Sequence, residues 1–225
     1  MNVFYLSGEE ENIEAAIESV GDNSLVIMGY GVVKNIDLVK ELNGESNVLR
    51  AVAYLSRSKN SVFIVGVYAE LYGKDYVSAA VLDRGRILGI SDMTHLAQED
   101  KDVSLGSSYR IYSTCLGKIG VVVGNDVFYP EVIRAVTLRG ADFIVNVTPY
   151  NAVTGYELAL KSNALFNGIM IFADSRERRY LISRDGAVTL RKDTPRVSGH
   201  YIVSRDRTLI SGLRQEIYND IYIEE

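Results

Sequence analysis

The sequence is poor in the residues that build disulfides and metal sites. Its 225 residues include one cysteine, Cys115, and two histidines, His95 and His200. A single cysteine excludes an intrachain disulfide, and such usage is typical of a reducing compartment. We therefore expect a cytoplasmic protein. One cysteine and two histidines also fall short of the usual zinc ligand sets, so we expect no metal.

Long apolar runs, basic surfaces and nucleotide-binding motifs are absent as well. No run approaches the roughly 20 apolar residues of a membrane span, and residues 1–16 lack the pattern of a signal peptide. Net charge is −5, and clusters such as residues 176–179 carry acidic neighbours. Because nucleic-acid binding needs a basic face, we expect neither nucleic acid nor a membrane as partner. Walker and G-x-G-x-x-G patterns are missing, so we expect no cofactor.

What the sequence does contain is an alternation of apolar strands and amphipathic helices. Predicted strands lie at 2–7, 24–29, 61–71, 76–90, 109–114, 118–124, 141–147, 169–174, 179–184, 187–190 and 201–204. A first helix is predicted after a Ser7–Glu10 capping box, with Ile13, Ile17 and Val20 on its apolar face. Further helices are predicted at 38–42, 48–56, 130–139 and 156–166, and from about 209. Crossovers mixed with hairpins predict a mixed sheet covered by helices. No linker divides the chain, so we expect a single domain over 1–225.

A tight bend at residues 124–126 joins an apolar strand to a helix that begins at Pro130. Many α/β enzymes place a nucleophile at such a bend, yet this one offers Gly124, Asn125 and Asp126. Cys115 lies nine positions earlier, which is up to about 30 Å along an extended chain. A small residue at a strand start is therefore favoured over a nucleophile for Cys115.

Several polar residues near the bend admit two interpretations. His95 can act as a general base near neutral pH or can fix a loop by hydrogen bonding. Asp126 and Glu131 can bind a cation or an amine, but acids there more often cap a helix N-terminus. His200 has no partner visible in the sequence.

The segment GKIGVVVGNDVFYPEVIRAVTLRGADFIVNVTPYN resembles the signature of the nitrilase, or carbon–nitrogen hydrolase, superfamily. Segments NSLVIMGYG, VFIVGVYAELYGKDYVSAAVLDRGRILGISDMTHL, ALFNGIMIFAD and RYLISRDGAV resemble other parts of that family in the same order. The resemblance implies a four-layer α-β-β-α sandwich with mixed sheets, usually paired into dimers. It also implies a Glu–Lys–Cys triad for amide or nitrile chemistry. In this sequence those three positions fall on Gly29, Met93 and Gly124.

Loss of the triad predicts an inactive family member, or pseudoenzyme, that binds a small molecule or has a regulatory or assembly role. It would form a homodimer or a hetero-oligomer with a relative. Two glycines would leave room for a ligand, or for Tyr30 or Phe128 to move inward. Possible pocket residues are Tyr30, Glu70, His95, Glu99, Asn125, Asp126 and Phe128. The alternative is an amide hydrolase with a relocated, non-cysteine site that uses Asp126, Glu70, His95 and tyrosines.

Overall fold

Two β-sheets organise the chain, which we describe from a computed structural model over residues 1–8, 13–96, 102–151 and 153–212. The strands are β1 Asn2–Leu6, β2 Ser24–Met28, β3 Ile36–Asp37, β4 Val62–Leu71, β5 Lys74–Asp83, β6 Arg86–Asp92, β7 Arg110–Thr114, β8 Gly117–Val123, β9 Phe143–Val147, β10 Met170–Asp174, β11 Arg179–Ile182, β12 Val188–Lys192 and β13 Arg196–His200. The helices are α1 Ile13–Glu18, α2 Leu38–Asn43, α3 Val48–Ser58, α4 Pro130–Leu138, α5 Tyr156–Asn167 and α6 Thr208–Ser211. A 3-10 turn covers Gly124–Phe128.

Each sheet combines parallel and antiparallel pairs, as predicted. The first sheet has the order β13-β1-β2-β4-β5-β6, with β3 on β4. The second has the order β12-β11-β10-β9-β8-β7. Strands β1, β2 and β4 are parallel to one another, and so are β8, β9 and β10. The carboxyl ends of such parallel strands are where α/β proteins place binding sites.

The central strands are mostly apolar because both faces of each sheet are covered. In β2, Leu25 and Ile27 face a core between the two sheets, whereas Val26 and Met28 pack with α1 and α3. In the second sheet, Ile144 packs outward with α4 and α5. Burial of each such side chain contributes roughly 1.5–3 kcal/mol. The layers are therefore α-β-β-α.

Local signals set the helix boundaries near the site. Pro130 is the first residue of α4, where its missing N–H is harmless. The predicted opening of α2 at Asn35 is wrong, because the carboxylate of Asp37 accepts the Lys40 N–H and caps this helix. Gly44 ends α2 as expected.

The predicted strand at 201–204 is wrong, and β13 immediately before it was missed. Strand β13 pairs antiparallel with β1, from Asn2 opposite His200 to Leu6 opposite Arg196. Its sequence, RVSGH, has too few apolar residues for a buried-strand pattern, because it lies at a sheet edge. The final helix begins at Thr208, and Glu10 of the proposed capping box lies outside the described residues. Over the described ranges, no helix is both long and apolar enough to span a membrane.

Candidate functional site

The three positions singled out in the sequence follow the ends of strands. Gly29 directly follows β2, Gly124 follows β8, and Met93 follows β6. Strand β10 also ends nearby, at Asp174, whose carbonyl accepts the N–H of Thr148. The candidate site is therefore built where parallel strands of both sheets terminate.

Gly124 and Met93 are in contact. A Cβ placed on Gly124 would overlap the Met93 sulfur and lie 3.3 Å from Met93 Cγ and 3.4 Å from Tyr150 Cε2. Met93 is fully buried in the core between the sheets, and the Tyr150 hydroxyl donates to its sulfur over 3.7 Å. Gly124 also has a φ of 56°, a left-handed conformation that favours glycine. A thioether therefore occupies the space next to Gly124.

Asp126 attaches the segment around Met93 to the 3-10 turn. Its carboxylate accepts the backbone N–H of Thr94 at 3.0 Å and of His95 at 2.8 Å. The Thr94 hydroxyl and His95 Nδ1 each lie 3.0 Å from the same oxygen. Burial raises the pKa of Asp126, and the hydrogen bond from the Thr94 backbone opposes that shift. Asp126 thus fixes the loop after β6 rather than capping α4.

His95 meets Asp126 on one side and an aromatic ring on the other. Its ring stacks on Tyr129, with centroids 3.7 Å apart and planes inclined by 16°. The His95 side chain is 30% exposed, so it is open to solvent on part of its surface. An imidazole oriented by a carboxylate is the arrangement of a general base, although the same contacts fix a loop. His95 and Asp126, two of the residues that the relocated-site alternative would use, are therefore in direct contact.

Gly29 contacts a carboxylate from the second sheet. A Cβ on Gly29 would overlap Asp174 Oδ2 and lie 3.3 Å from Asp174 Cγ. Asp174 Oδ1 is 2.9 Å from Arg179 Nε, and both side chains are almost completely buried. This ion pair lacks hydrogen-bond geometry, since both atoms are without a hydrogen-bond partner among the described residues. Burial raises the pKa of Asp174 to about 7, although Arg179 acts in the opposite direction.

A cavity of about 220 Å³ lies beside this ion pair. It is lined by Ser7, Gly8, Gly29, Tyr30, Gly31, Asp174, Ser175, Arg176 and Arg179. A larger depression, of about 460 Å³, lies outside the sandwich between α4 and α5. Of the residues singled out in the sequence, only Glu131 lines that depression, whereas Gly29 and Tyr30 both line the smaller cavity. The smaller cavity is therefore the better candidate for a ligand site.

The remaining predicted pocket residues are dispersed. Tyr30 lies over Gly66, its hydroxyl donates to the Ser78 carbonyl at 2.8 Å, and its ring packs against the core between the sheets. Phe128 instead packs outward, with its ring centroid 6.1 Å from that of Tyr156.

Glu70 accepts the Gly73 N–H within the β4–β5 hairpin and does not line the cavity. Asn125 is half-buried in the 3-10 turn, and Glu99 lies outside the described residues. His200 lies at the sheet edge, with Nδ1 2.8 Å from Asn2 Oδ1. Glu70, Asn125 and His200 therefore do not line the cavity beside Asp174.

Cys115 lies in the turn between β7 and β8, whereas Gly124 follows the opposite end of β8. Burial raises the pKa of its thiol to about 11, and the neighbouring Asp83 carboxylate adds to the shift. A thiol that stays protonated is a poor nucleophile. Over the described ranges, no group of three or more His, Cys, Asp or Glu residues is placed to hold a metal ion.

Asp174, Arg179 and Tyr150 lie at the site but are not among the residues predicted from the sequence. Asp174 ends the apolar strand IMIFAD, a strand-end position equivalent to that of Gly29, and this was the available signal. Arg179 was grouped with the charged cluster 176–179, but Arg176 and Arg178 are exposed while Arg179 is buried. Tyr150 gave no signal in the sequence.

Comparisons with known proteins agree with this architecture. Residues 21–180 match the family model described as carbon–nitrogen hydrolase. A probable nitrilase from Schizosaccharomyces pombe is 30% identical over 162 residues, which are 68% of this chain and 58% of that protein. Citrullinase from Francisella tularensis is 24% identical over 159 residues, covering 64% and 55% respectively. The chain spans little more than half the length of these curated relatives.

Solved structures resemble the chain over nearly its whole length. Nit3 from Saccharomyces cerevisiae, a member of the nitrilase superfamily, has a TM-score of 0.74 at 17% identity, covering 96% of this chain and 94% of that one. A mutant of the amidase from Nesterenkonia has a TM-score of 0.76 at 14% identity, covering 99% and 97%. Identities this low show the fold alone. The match over residues 21–180 shows that the chain belongs to the carbon–nitrogen hydrolase family, and the solved structures show that it has an α-β-β-α sandwich fold.

Proposed function

We propose that this chain is a catalytically inactive carbon–nitrogen hydrolase homologue that binds a small molecule, with a regulatory or assembly role. The packing of Met93 against Gly124 carries the proposal. The Nesterenkonia amidase has an active-site cysteine. By family resemblance that cysteine corresponds to Gly124, and the family lysine corresponds to Met93.

The chemistry at this position supports inactivity. Glycine has no side chain to attack a carbonyl carbon, and a thioether has no N–H to donate to an oxyanion. In a well-studied protease, loss of the nucleophile costs about 10⁶-fold in rate, or roughly 8 kcal/mol of barrier. The thiol of Cys115, with its raised pKa and its place at the other end of β8, is no substitute.

A relocated site is the second candidate, because two observations favour it. His95 and Asp126 form a pair that can accept a proton from water, with Nδ1 3.0 Å from the carboxylate. Asp174 has a pKa of about 7, which suits a general base. Either group would act by activating a water molecule, which would attack the amide carbonyl directly, without a covalent intermediate.

Ammonia release from butyramide, acetamide and butyronitrile tests the proposal. We expect the purified chain to release no more ammonia than buffer does. Turnover that survives Cys115→Ala but is lost in His95→Ala would support the relocated site. The other histidine, His200, is exposed at the sheet edge and provides the matched control variant, His200→Ala. Turnover that is lost in Cys115→Ala would overturn both candidates.

Assembly and location belong to the same proposal. We expect a cytoplasmic protein that forms a homodimer, or a hetero-oligomer with a relative, because the family resemblance implies pairing through outer helices. Light scattering of the purified chain measures its mass in solution. A strictly monomeric chain that fails to bind a co-expressed catalytic relative would contradict the assembly role.

A further inference from the structure

Arg179 is the largest fully buried side chain in the described part of the structure. Its Nη1 donates to the Glu177 carbonyl over a long 3.5 Å, and its Nε lies beside Asp174 without hydrogen-bond geometry. Its Nη2 has no hydrogen-bond partner among the described residues. Because a buried charged N–H without an acceptor is costly, this guanidinium has spare capacity for one.

The space next to Arg179 is the cavity of about 220 Å³. Much of its wall is glycine, and the chain packs closely there: a Cβ on Gly8 would lie 2.9 Å from the Gly31 backbone. A Cβ on Gly29 would overlap the Asp174 carboxylate. Side chains at these positions would collide with the wall. The cavity has room for several heavy atoms, since one water occupies about 30 Å³ of liquid volume.

We propose that this cavity binds the carboxylate group of a small monocarboxylic acid, with the Arg179 guanidinium as its recognition group. A guanidinium presents parallel N–H donors that match the two oxygens of a carboxylate. Arg176, exposed at the cavity lining, adds a second positive charge. The inference deepens the proposed ligand-binding role, and rests on it, by giving the chemical class of the ligand.

The carboxylate of Asp174 should make the cavity prefer a monocarboxylate over phosphate, and it should make ligand binding depend on pH. Among the described residues it is the one carboxylate in the cavity lining, and it would repel a phosphate dianion more strongly than a monocarboxylate. Its pKa is about 7, so below that pH its protonated carboxyl can donate to the ligand. The groups facing it are the Arg179 guanidinium and the phenols of Tyr5 and Tyr156, whose pKa values burial raises well above 10.0.

Calorimetric titration of the full chain with butyrate, butyramide and inorganic phosphate at pH 6 and pH 8 tests the inference. We expect butyrate to bind, more tightly at pH 6, and the neutral amide and phosphate to bind more weakly. Arg179→Gln should weaken butyrate binding by about tenfold or more, the effect of losing a hydrogen bond to a charged group. The exposed Arg184 gives the matched control, Arg184→Gln, which should leave the affinity unchanged.

A second measurement on the unaltered chain covers the case in which Arg179→Gln does not fold. The Nε–H signal of a fully buried arginine exchanges slowly with solvent and is visible by nitrogen-15 NMR. We expect butyrate to shift the slowest-exchanging arginine signal, whereas butyramide should not. No shift at millimolar butyrate would overturn the inference.

The outcomes separate this inference from the proposed function. Butyramide or phosphate binding without butyrate binding overturns the carboxylate class but leaves a ligand-binding protein. Ammonia release from butyramide overturns the inactive assignment, while butyrate binding at Arg179 would still stand. Absence of binding by every probe overturns the inference, whatever the ammonia assay gives.

Discussion

The candidate site has one end at Gly124 and another at Gly29, and the space beside the two glycines is occupied differently. At the Gly124 end an uncharged side chain, Met93, fills the space, and the result is a packed apolar contact. At the Gly29 end a charged side chain, Asp174, is paired with Arg179, and a cavity remains beside them. An apolar side chain fills a pocket without leaving polar groups to satisfy, whereas the groups of a buried ion pair need further hydrogen-bond partners. The second end is therefore where a ligand has something to bind.

The largest expected effect comes from breaking the ion pair. Arg179→Met at pH 8 should destabilise the fold by about 3 to 5 kcal/mol, because it leaves the Asp174 charge buried without a partner. The double variant Asp174→Asn/Arg179→Met should recover most of that loss. Urea unfolding measures both.

Arg184→Met is the matched control for this experiment, since Arg184 is exposed and should change stability by at most about 0.5 kcal/mol. If Arg179→Met and Arg184→Met cost the same at pH 8, the ion pair has no special importance and the contrast between the two ends fails.

A pH series sharpens the comparison, because the Gly29 end titrates and the Gly124 contact does not. Asp174 has a pKa of about 7 in the folded chain against 3.8 as the ordinary value, with burial as the main cause. Between those values the folded state keeps a proton that the unfolded state has released. This contribution to stability is therefore complete below pH 3.8, is lost as the pH rises to about 7, and is constant above.

Urea unfolding of wild type and Asp174→Asn across this range measures the effect. The difference between the two curves should change by at most about 1.4 kcal/mol per pH unit. Parallel curves from pH 4 to pH 8 would show that Asp174 does not titrate there.

A smaller effect is expected from crowding the Gly124 end. Gly124→Ala forces a Cβ onto the Met93 sulfur and a side chain into a left-handed conformation. Gly73→Ala is the matched control, since Gly73 has φ +75 and nothing within 4 Å of the added Cβ. Gly124→Ala should cost about 1–3 kcal/mol more than the control, the usual cost of overpacking.

A double-mutant cycle with Met93→Ala identifies the cause of that cost. In the Met93→Ala background, the extra cost of Gly124→Ala should largely disappear, because the overlapping sulfur is gone. Additive effects would mean that Met93 does not fill the space beside Gly124.

The smallest effect concerns the single thiol. With a pKa of about 11, Cys115 should react with iodoacetamide at pH 8 at least about tenfold more slowly than free cysteine. Cys115→Ser should leave butyrate binding unchanged, since the cavity lining does not include this residue. Rapid alkylation that abolishes ligand binding would place Cys115 in the site after all.

The fold could be predicted from sequence because its strands carry strong local patterns. Strands such as SLVIM and FIVNV are apolar on both faces, and their alternation with helices predicted mixed, covered sheets. The edge strand β13 was missed because edge strands bury little and need no such pattern. Family resemblance added the layer order, which periodicity alone does not give.

The site was only half predictable. Gly29, Met93 and Gly124 could be named because the family motif fixes their places along the chain. The partner of Gly29 could not, since Asp174 arrives from the other sheet, 145 positions later. Burial of Arg179 was equally hidden, because a charged residue beside Arg178 predicts a solvated turn.

The pairing of β13 with β1 also orders events during synthesis. Leu6 lies opposite Arg196, so this edge of the first sheet can be completed only after a segment some 190 residues later has been translated. Until then β1 presents unpaired N–H and C=O groups on that side, a template for pairing with other chains. Contacts between residues so distant in sequence also slow folding. A nascent chain halted before residue 196 would therefore carry an open sheet edge, the kind of surface on which chaperones act.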